Sequence, residues 1–273
     1  MPKFRLIVDA AEAKQFEHLC GSQETSQFSG LTVFNWEEST GNKDIAARRI
    51  ELNLAKKTCL YYEARPIRSA YFDMDSTAIG QETIVELAAC AGKSDEVYEI
   101  TERAMAGELD FKEALDQRVA CLKGLSTDIY PEVQKRLKIN PGLETFASEA
   151  KKQDISCHLV SGGFIPFAKR IAEHLNFDSY HANHLDEVDG VLEGSVSGVI
   201  VDGLEKERFL RKTCNERNVA PKETLVVGDG ANDLNMMNAG GIAIGYHPKK
   251  VLIEQINGAI FDDHRVLIDV LQP

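Results

Sequence analysis

The sequence predicts an α/β protein: a doubly wound parallel sheet, interrupted after its first strand by an inserted helical block and preceded by a small α/β unit. Three observations carry this. From about residue 141 onward, short apolar runs alternate with amphipathic stretches, the pattern of a parallel sheet covered on both faces. From Gln81 to about Leu137 the chain reads almost wholly as helix. Pro66 removes a backbone donor and restricts its neighbour, which marks a boundary after the first 66 residues.

The elements follow in order. FRLIV (Phe4 to Val8) reads as a strand, AAEAKQFEHLC (Ala10 to Cys20) as a helix with Phe16 and Leu19 on one face, and LTVFNW (Leu31 to Trp36) as a strand. A helix over Lys43 to Lys56 and a strand over Thr58 to Ala64 complete the first unit. SAYFDMD (Ser69 to Asp75) restarts as a strand. IVELAACAG has apolar residues at helical spacing and a glycine stop. Asn140-Pro141-Gly142 closes the helical block. Then come a strand over DISCHLV, a helix over FIPFAKRIAEHLN, and a hairpin over Val188 to Gly198 with Asp189-Gly190 as its turn. A strand over TLVVGD, a helix over NDLNMMNAG and a strand over GIAIG finish the reading. The expected division is 1–66 for a small unit of unassigned role, 67–79 with 141–273 for the core, and 80–140 for a helical cap.

Composition bounds the function. Hydrophobic residues make up 43% and charged residues 27% of the 273 positions, an ordinary globular balance. The formal net charge of −12 repels phosphate backbones and anionic membranes, so no nucleic-acid or membrane partner is expected. Six widely spaced cysteines without a CxxC fit free thiols in a reducing compartment. The N-terminus shows no apolar core or cleavage site of a signal peptide, and no run approaches a membrane span. A cytoplasmic protein is expected.

Three predicted strands end in polar punctuation: Asp73 and Asp75 after the first, Ser161, Gly162 and Gly163 after the second, and Asp229, Asn232 and Asp233 after the third. Ligands of open α/β sheets sit outside the carboxyl ends of the strands, so neighbouring strands would gather four carboxylates, a hydroxyl and exposed N–H groups in one crevice. Two like charges about 4 Å apart repel by roughly 4 kcal/mol at an effective dielectric near 20. An oxygen-only donor set relieves this best with a hard cation such as Mg²⁺, or with a lysine. A carboxylate can attack phosphorus, and a second, protonated carboxyl can donate to the leaving oxygen and later take a proton from water. Asp73 and Asp75 flank Met74, so on a regular strand both face one side. His181 and His184 of HANH have the spacing of a helical ligand pair but no third ligand nearby, and a surface or capping role is expected for them. No dinucleotide fingerprint or GxxxxGK[ST] is present.

At these residues the chain resembles the haloacid dehalogenase superfamily. DMDST, VSGG, the lysine of VDGLEKE and GDGAND match its motifs in order. DMDST followed by Glu82, AMAGELDF and the arginine of QRV resembles the phosphoserine phosphatase family in particular, over about Ser69 to His247. The resemblance implies Asp73 as nucleophile and Asp75 as general acid/base. It implies Mg²⁺ held by Asp73, Asp229 and the Asp75 carbonyl. Ser161, Gly162 and Asn232 then bind phosphoryl oxygens or the attacking water, Lys206 balances charge and holds Asp73, and Asp233 orients Lys206 or a metal-bound water. In the cap, Glu82 meets an ammonium, Arg118 a carboxylate, and Met105 and Phe111 form an apolar wall, over a site that opens and closes.

Taken singly, Phe111 and Met105 are ordinary core residues, Arg118 a solvated charge and Glu82 a first-turn acid; taken together they follow one pattern. The implied substrate is O-phosphoserine. A phosphotransferase passing the phosphoryl group to another alcohol such as homoserine, a phosphatase for another small phosphate, and a binding protein with a spent site are the rival readings. AIGYHPKK departs from the family's YHAKP and reads one residue short. The first 66 residues match no motif; a reduced ligand-binding module, a homodimer contact and an inert appendage all stay open.

Overall fold

The computed structural model describes residues 2–20, 24–28, 30–38, 41–105 and 108–272; for 24–28 and 105 the description is of the backbone alone. Among the described residues eleven strands form one sheet: β1 (Lys3–Asp9), β2 (Glu24–Phe28), β3 (Leu31–Glu37), β4 (Cys59–Glu63), β5 (Ser69–Phe72), β6 (Ser156–Phe164), β7 (Ser179–Val188), β8 (Val191–Ser197), β9 (Thr224–Gly228), β10 (Ile242–Tyr246) and β11 (Gly258–Ile260). The helices are α1 (Glu17–Cys20), α2 (Lys43–Leu54), α3 (Thr83–Cys90), α4 (Ser94–Met105), α5 (Phe111–Ala120), α6 (Tyr130–Arg136), α7 (Leu143–Lys152), α8 (Ile165–Leu175), α9 (Gly203–Glu216), α10 (Leu234–Ala239) and α11 (Leu267–Leu271).

The strand order is β2-β3-β1-β4-β11-β10-β9-β5-β6-β7-β8. From β11 to β7 every neighbouring pair is parallel. The chain leaves β5 toward β6 and β7 on one side and returns through β9, β10 and β11 on the other. The order therefore reverses between β5 and β9, the position where such sheets bind ligands. β5 is buried on both faces. Phe72 enters one core with Phe146 and Phe167, while Tyr71 enters another with Val226 and Met236. Each such buried side chain contributes about 1.5–3 kcal/mol.

The first unit continues the same sheet. β4 pairs antiparallel with β11 through Leu60 and Cys59, and Ile7, Leu60 and Tyr62 belong to the same apolar cluster as Phe72. The boundary expected near Pro66 thus falls at a chain connection, with hydrogen bonding and packing carried across it. The helix expected over Ala10 to Cys20 is shorter: a turn, a single 3-10 turn at Ala13–Gln15, then α1. The polar strand β2 had no counterpart in the sequence reading, nor did β11 and α11.

Helices α3 to α6 form the inserted block. Its two linkers clamp each other: Gly80 N–H donates to Lys138 O (3.1 Å), Asn140 N–H to Ala78 O (2.9 Å) and Asn140 Nδ2 to Thr77 O (2.8 Å). The β7–β8 hairpin turns at Asp189-Gly190, both at positive φ (50° and 76°), and packs Gly194 against Lys123 and Ala120 of the block. None of the six cysteines is paired. Among the described residues no helix is long and apolar enough to cross a membrane.

Candidate active site

β5 ends at Phe72, before the two aspartates. Asp73 is extended, and residues 74–78 form one wide turn in which Ala78 N–H donates to Asp73 O (3.2 Å) and Ile79 N–H to Met74 O (2.9 Å). Ser76 sits at φ 56° inside it. Asp73 and Asp75 converge because of this turn; the strand alternation expected from the sequence does not operate here.

The two carboxylates have different surroundings. Asp73 is buried, and its Oδ1 accepts from Met74 N–H (2.8 Å) and meets Lys206 Nζ (2.8 Å). Asp75 is half-buried, and its Oδ1 accepts from Thr83 N–H (2.7 Å). The first N–H groups of a helix have no partner within it, so the start of α3 supplies this donor. Ser161 Oγ lies 3.5 Å from Asp75 Oδ2 and accepts from Gly163 N–H (2.8 Å). Burial and the facing charge of Glu82 push Asp75 up to about 7, against the Thr83 hydrogen bonds that lower it. At neutral pH this group can both give and take a proton.

Behind Asp73 lies the ion triad. α9 starts at the Asp202 cap, whose side chain accepts from Glu205 N–H (2.8 Å), and its first turn carries Lys206 inward. The Lys206 ammonium, 1% exposed, bridges Asp73 and Asp233 at 2.8 and 2.7 Å. Burial opposes the charge on Lys206, but Asp233 and Asp73 outweigh it and raise its pKa. The other oxygen of Asp233 accepts from the N–H groups of Asp229 and Gly230 (3.0 Å each). Asp233 therefore holds the lysine and the Asp229 loop.

Asp73, Asp229 and Asp233 each present an oxygen within 4.8 Å of the others. Burial, then Asp233 and Asp229, push Asp73 up, with Lys206 opposing. Burial likewise raises Asp229 to about 6, while Lys249 lowers it. Three buried carboxylates on one inward ammonium leave negative charge unbalanced, and the donors are all oxygen. Asp73 and Asp229 fit a hard divalent cation on this ground; Asp233 has both oxygens engaged.

A cavity of about 360 Å³ opens over this floor, lined by Asp73, Asp75, Glu82, Phe111, Arg118, Gly162, Asp229 and Asn232 among others. With Gly163, nine of the residues singled out in the sequence thus meet in one space. Lys206, Ser161 and Asp233 lie beneath it, fully buried. The side chain of Met105 falls outside the described residues. Glu82 accepts from Ser76 Oγ (2.7 Å). Arg118 donates from Nε to Ala114 O (3.1 Å); burial lowers its pKa, while Glu82 and Asp75 support its charge. Gly163 is required by close approach, since a Cβ there would lie 2.6 Å from Asp75 Oδ2 and from Met74 Cε.

Neither histidine of HANH lines this cavity. His181 stacks on Phe209 and pairs with Glu205, and His184 lies beside Asp186 on β7. Between them, Asn183 was overlooked. It is buried, donates from Nδ2 to Gly162 O (2.8 Å) and accepts at Oδ1 from Val201 N–H (2.8 Å). It ties the Gly162 peptide to the segment that leads into α9. Lys249 also lacked an assigned role: its Nζ lies 3.4 Å from Asp229 Oδ2 on the cavity wall.

Residues 67–241 match the model of the haloacid dehalogenase-like hydrolases. The chain belongs to this family. A phosphoserine phosphatase of a Polaromonas species is 44% identical over 195 residues, 69% of this chain and 83% of that one. A structure described as a phospho-aspartyl intermediate analogue of phosphoserine phosphatase is 34% identical with a TM-score of 0.71, covering 76% of this chain and 100% of its own. A HAD-family hydrolase from Salmonella enterica serovar Typhi has a TM-score of 0.88 at 24% identity, over 99% of this chain and 98% of its own. That likeness shows that the fold extends through the first unit.

Proposed function

We propose that this haloacid dehalogenase-like hydrolase is a phosphoserine phosphatase, converting O-phospho-L-serine to L-serine and phosphate. The observation that carries the reading is the shared cavity: Glu82 and Arg118 line the same space as Asp73 and Asp75. A small phosphate that also carries an ammonium and a carboxylate matches that set of charges. The guanidinium can take a carboxylate bidentately, and Phe111 closes the apolar side.

Asp73 attacks phosphorus, forming a bond to it as the bond to the serine oxygen breaks. Asp75, protonated, gives its proton to that oxygen. Asp75 then takes a proton from water, the water oxygen attacks the aspartyl-phosphate, and Asp73 is regenerated as phosphate leaves. A pKa about 7 suits both transfers. Lys206 keeps Asp73 ionised and aimed, and Gly162 and Ser161 offer donors to the phosphoryl oxygens. Asp73, Asp229 and the Asp75 carbonyl would hold Mg²⁺, which supplies charge neutralisation to the transferring group.

A substrate panel tests this. Phosphate release from O-phospho-L-serine should far exceed release from O-phosphothreonine, sugar phosphates or an aryl phosphate. Release from an aryl phosphate with none from phosphoserine would retain the chemistry and sink the substrate.

A further inference from the structure

Two ammonium groups of opposite design serve this site, one beneath the cavity and one on its wall. Lys206 is walled in, 1% exposed and held by two carboxylates at 2.7 and 2.8 Å. Lys249 has a side chain 62% exposed and, among the described residues, one longer ion contact, 3.4 Å to Asp229 Oδ2. Its backbone is nevertheless fixed. Lys249 N–H donates to Asp229 O (2.8 Å), and Pro248 before it packs on Gly245, where a Cβ would come within 2.6 Å of the ring. The group is a tethered charge with a free end. Burial works against the ammonium, but Asp229 and Glu82 outweigh it and raise its pKa. Among the described residues it is the ion partner of Asp229, and it shares the cavity wall with Glu82, Ala231 and Asn232.

We propose that Lys249 is a movable counter-ion: it neutralises Asp229 while that carboxylate holds no metal, and swings to the phosphate group of the ligand once a divalent cation takes Asp229. This rests on the reading of the site as a phosphatase with Asp229 as a metal ligand. Two cations on one carboxylate repel, so the looser one leaves. The released ammonium remains at the rim where a dianion arrives, and a charge-assisted contact to phosphate replaces the one lost. Lys206 cannot make this move, because both of its partners stay buried with it.

The exchange has consequences of opposite sign. Without Lys249, a divalent cation meets no competitor at Asp229 and binds more tightly, while phosphate loses a partner and binds more weakly. A structural role would weaken both, and a bystander surface lysine would leave both unchanged. The test uses Mn²⁺ as the metal probe and inorganic phosphate as the anion, on the full chain and on its Lys249→Met and Lys249→Arg variants. Calorimetric titration of the metal-free protein with Mn²⁺ should give a several-fold lower Kd for Lys249→Met. Phosphate titrated into Mn²⁺-saturated protein should bind about tenfold more weakly, equivalent to about 1.4 kcal/mol. Lys249→Arg should return both values toward the wild type. Unchanged constants, or two that weaken together, overturn the proposal. Neither titration involves phosphoserine. Wild-type protein that binds no phosphate would defeat both this inference and the phosphatase reading; phosphate binding without phosphoserine turnover would defeat only the substrate.

Discussion

Replacing Lys206 by methionine removes the buried charge that the floor of the cavity is built around. The ammonium meets Asp73 at 2.8 Å and Asp233 at 2.7 Å, with all three side chains at most 6% exposed. Methionine is also long and unbranched, so the main loss is electrostatic. Removing one partner of a buried ion pair costs about 3–5 kcal/mol, a large part of a typical total of about 5–15 kcal/mol. The loss carries a pH signature. Without Lys206, the folded-state pKa of Asp73 rises further above the unfolded value of about 3.9. The folded variant then binds protons that the unfolded chain does not, so it gains stability as pH falls. The deficit relative to wild type should be full at neutral pH and above, and should shrink as pH falls through the raised value. Urea unfolding in EDTA, at about pH 7.5 and about pH 5.5, measures it. Lys206→Met should unfold at much lower urea at the higher pH and approach wild type at the lower. Adding Asp233→Asn should recover part of the loss. A deficit below about 1 kcal/mol, the size of an exposed pair, or one equal at both pH values, would refute the charge balance described here.

Glu82 is the second cause, after burial, of the raised Asp75 pKa. Glu82→Gln should therefore move the corresponding limb of the kcat pH profile to lower pH, and a limb that stays in place would remove Glu82 from that role. Arg118→Lys should raise KM for O-phospho-L-serine by about 10- to 100-fold, the worth of a charged hydrogen bond, with little effect on an aryl phosphate; equal effects on both would end the specificity argument. Gly163→Ala should cut kcat at least tenfold, because the added Cβ would sit 2.6 Å from Asp75 Oδ2, and a fully active variant would show that the turn can shift freely.

Much of the site was legible because a parallel sheet aligns its strand ends. β5 pairs with both β6 and β9, so Asp73 after Phe72, Ser161 two residues beyond the paired Leu159, and Asp229 after Gly228 had to meet; Ser161 to Gly163, expected after the strand, lie inside β6. The reason given for the Asp73–Asp75 pair was not the operative one. A strand pattern does not announce its last residue, and the wide turn at 74–78 depends on Ser76 in a left-handed conformation. AAEAKQFEHLC has helical spacing, yet only Glu17–Cys20 form α1; the residues before it close a turn and a single 3-10 turn, in which Phe16 N–H donates to Ala13 O (2.9 Å). β2 itself, ETSQF, is an edge strand with no apolar alternation to read. Lys249 is one charge in a loop, where no periodicity marks the position of a side chain; the backbone bond to Asp229 and the packing of Pro248 on Gly245 bring it to the cavity. Asn183 was masked by its histidine neighbours.

Phosphate release from O-phospho-L-serine, with Mg²⁺ and with EDTA, beside Asp73→Asn, tests the central claim most directly. Release that requires Mg²⁺ and vanishes in Asp73→Asn is the predicted result. Release that survives EDTA, or survives in Asp73→Asn, would contradict an aspartyl-phosphate formed on this carboxylate.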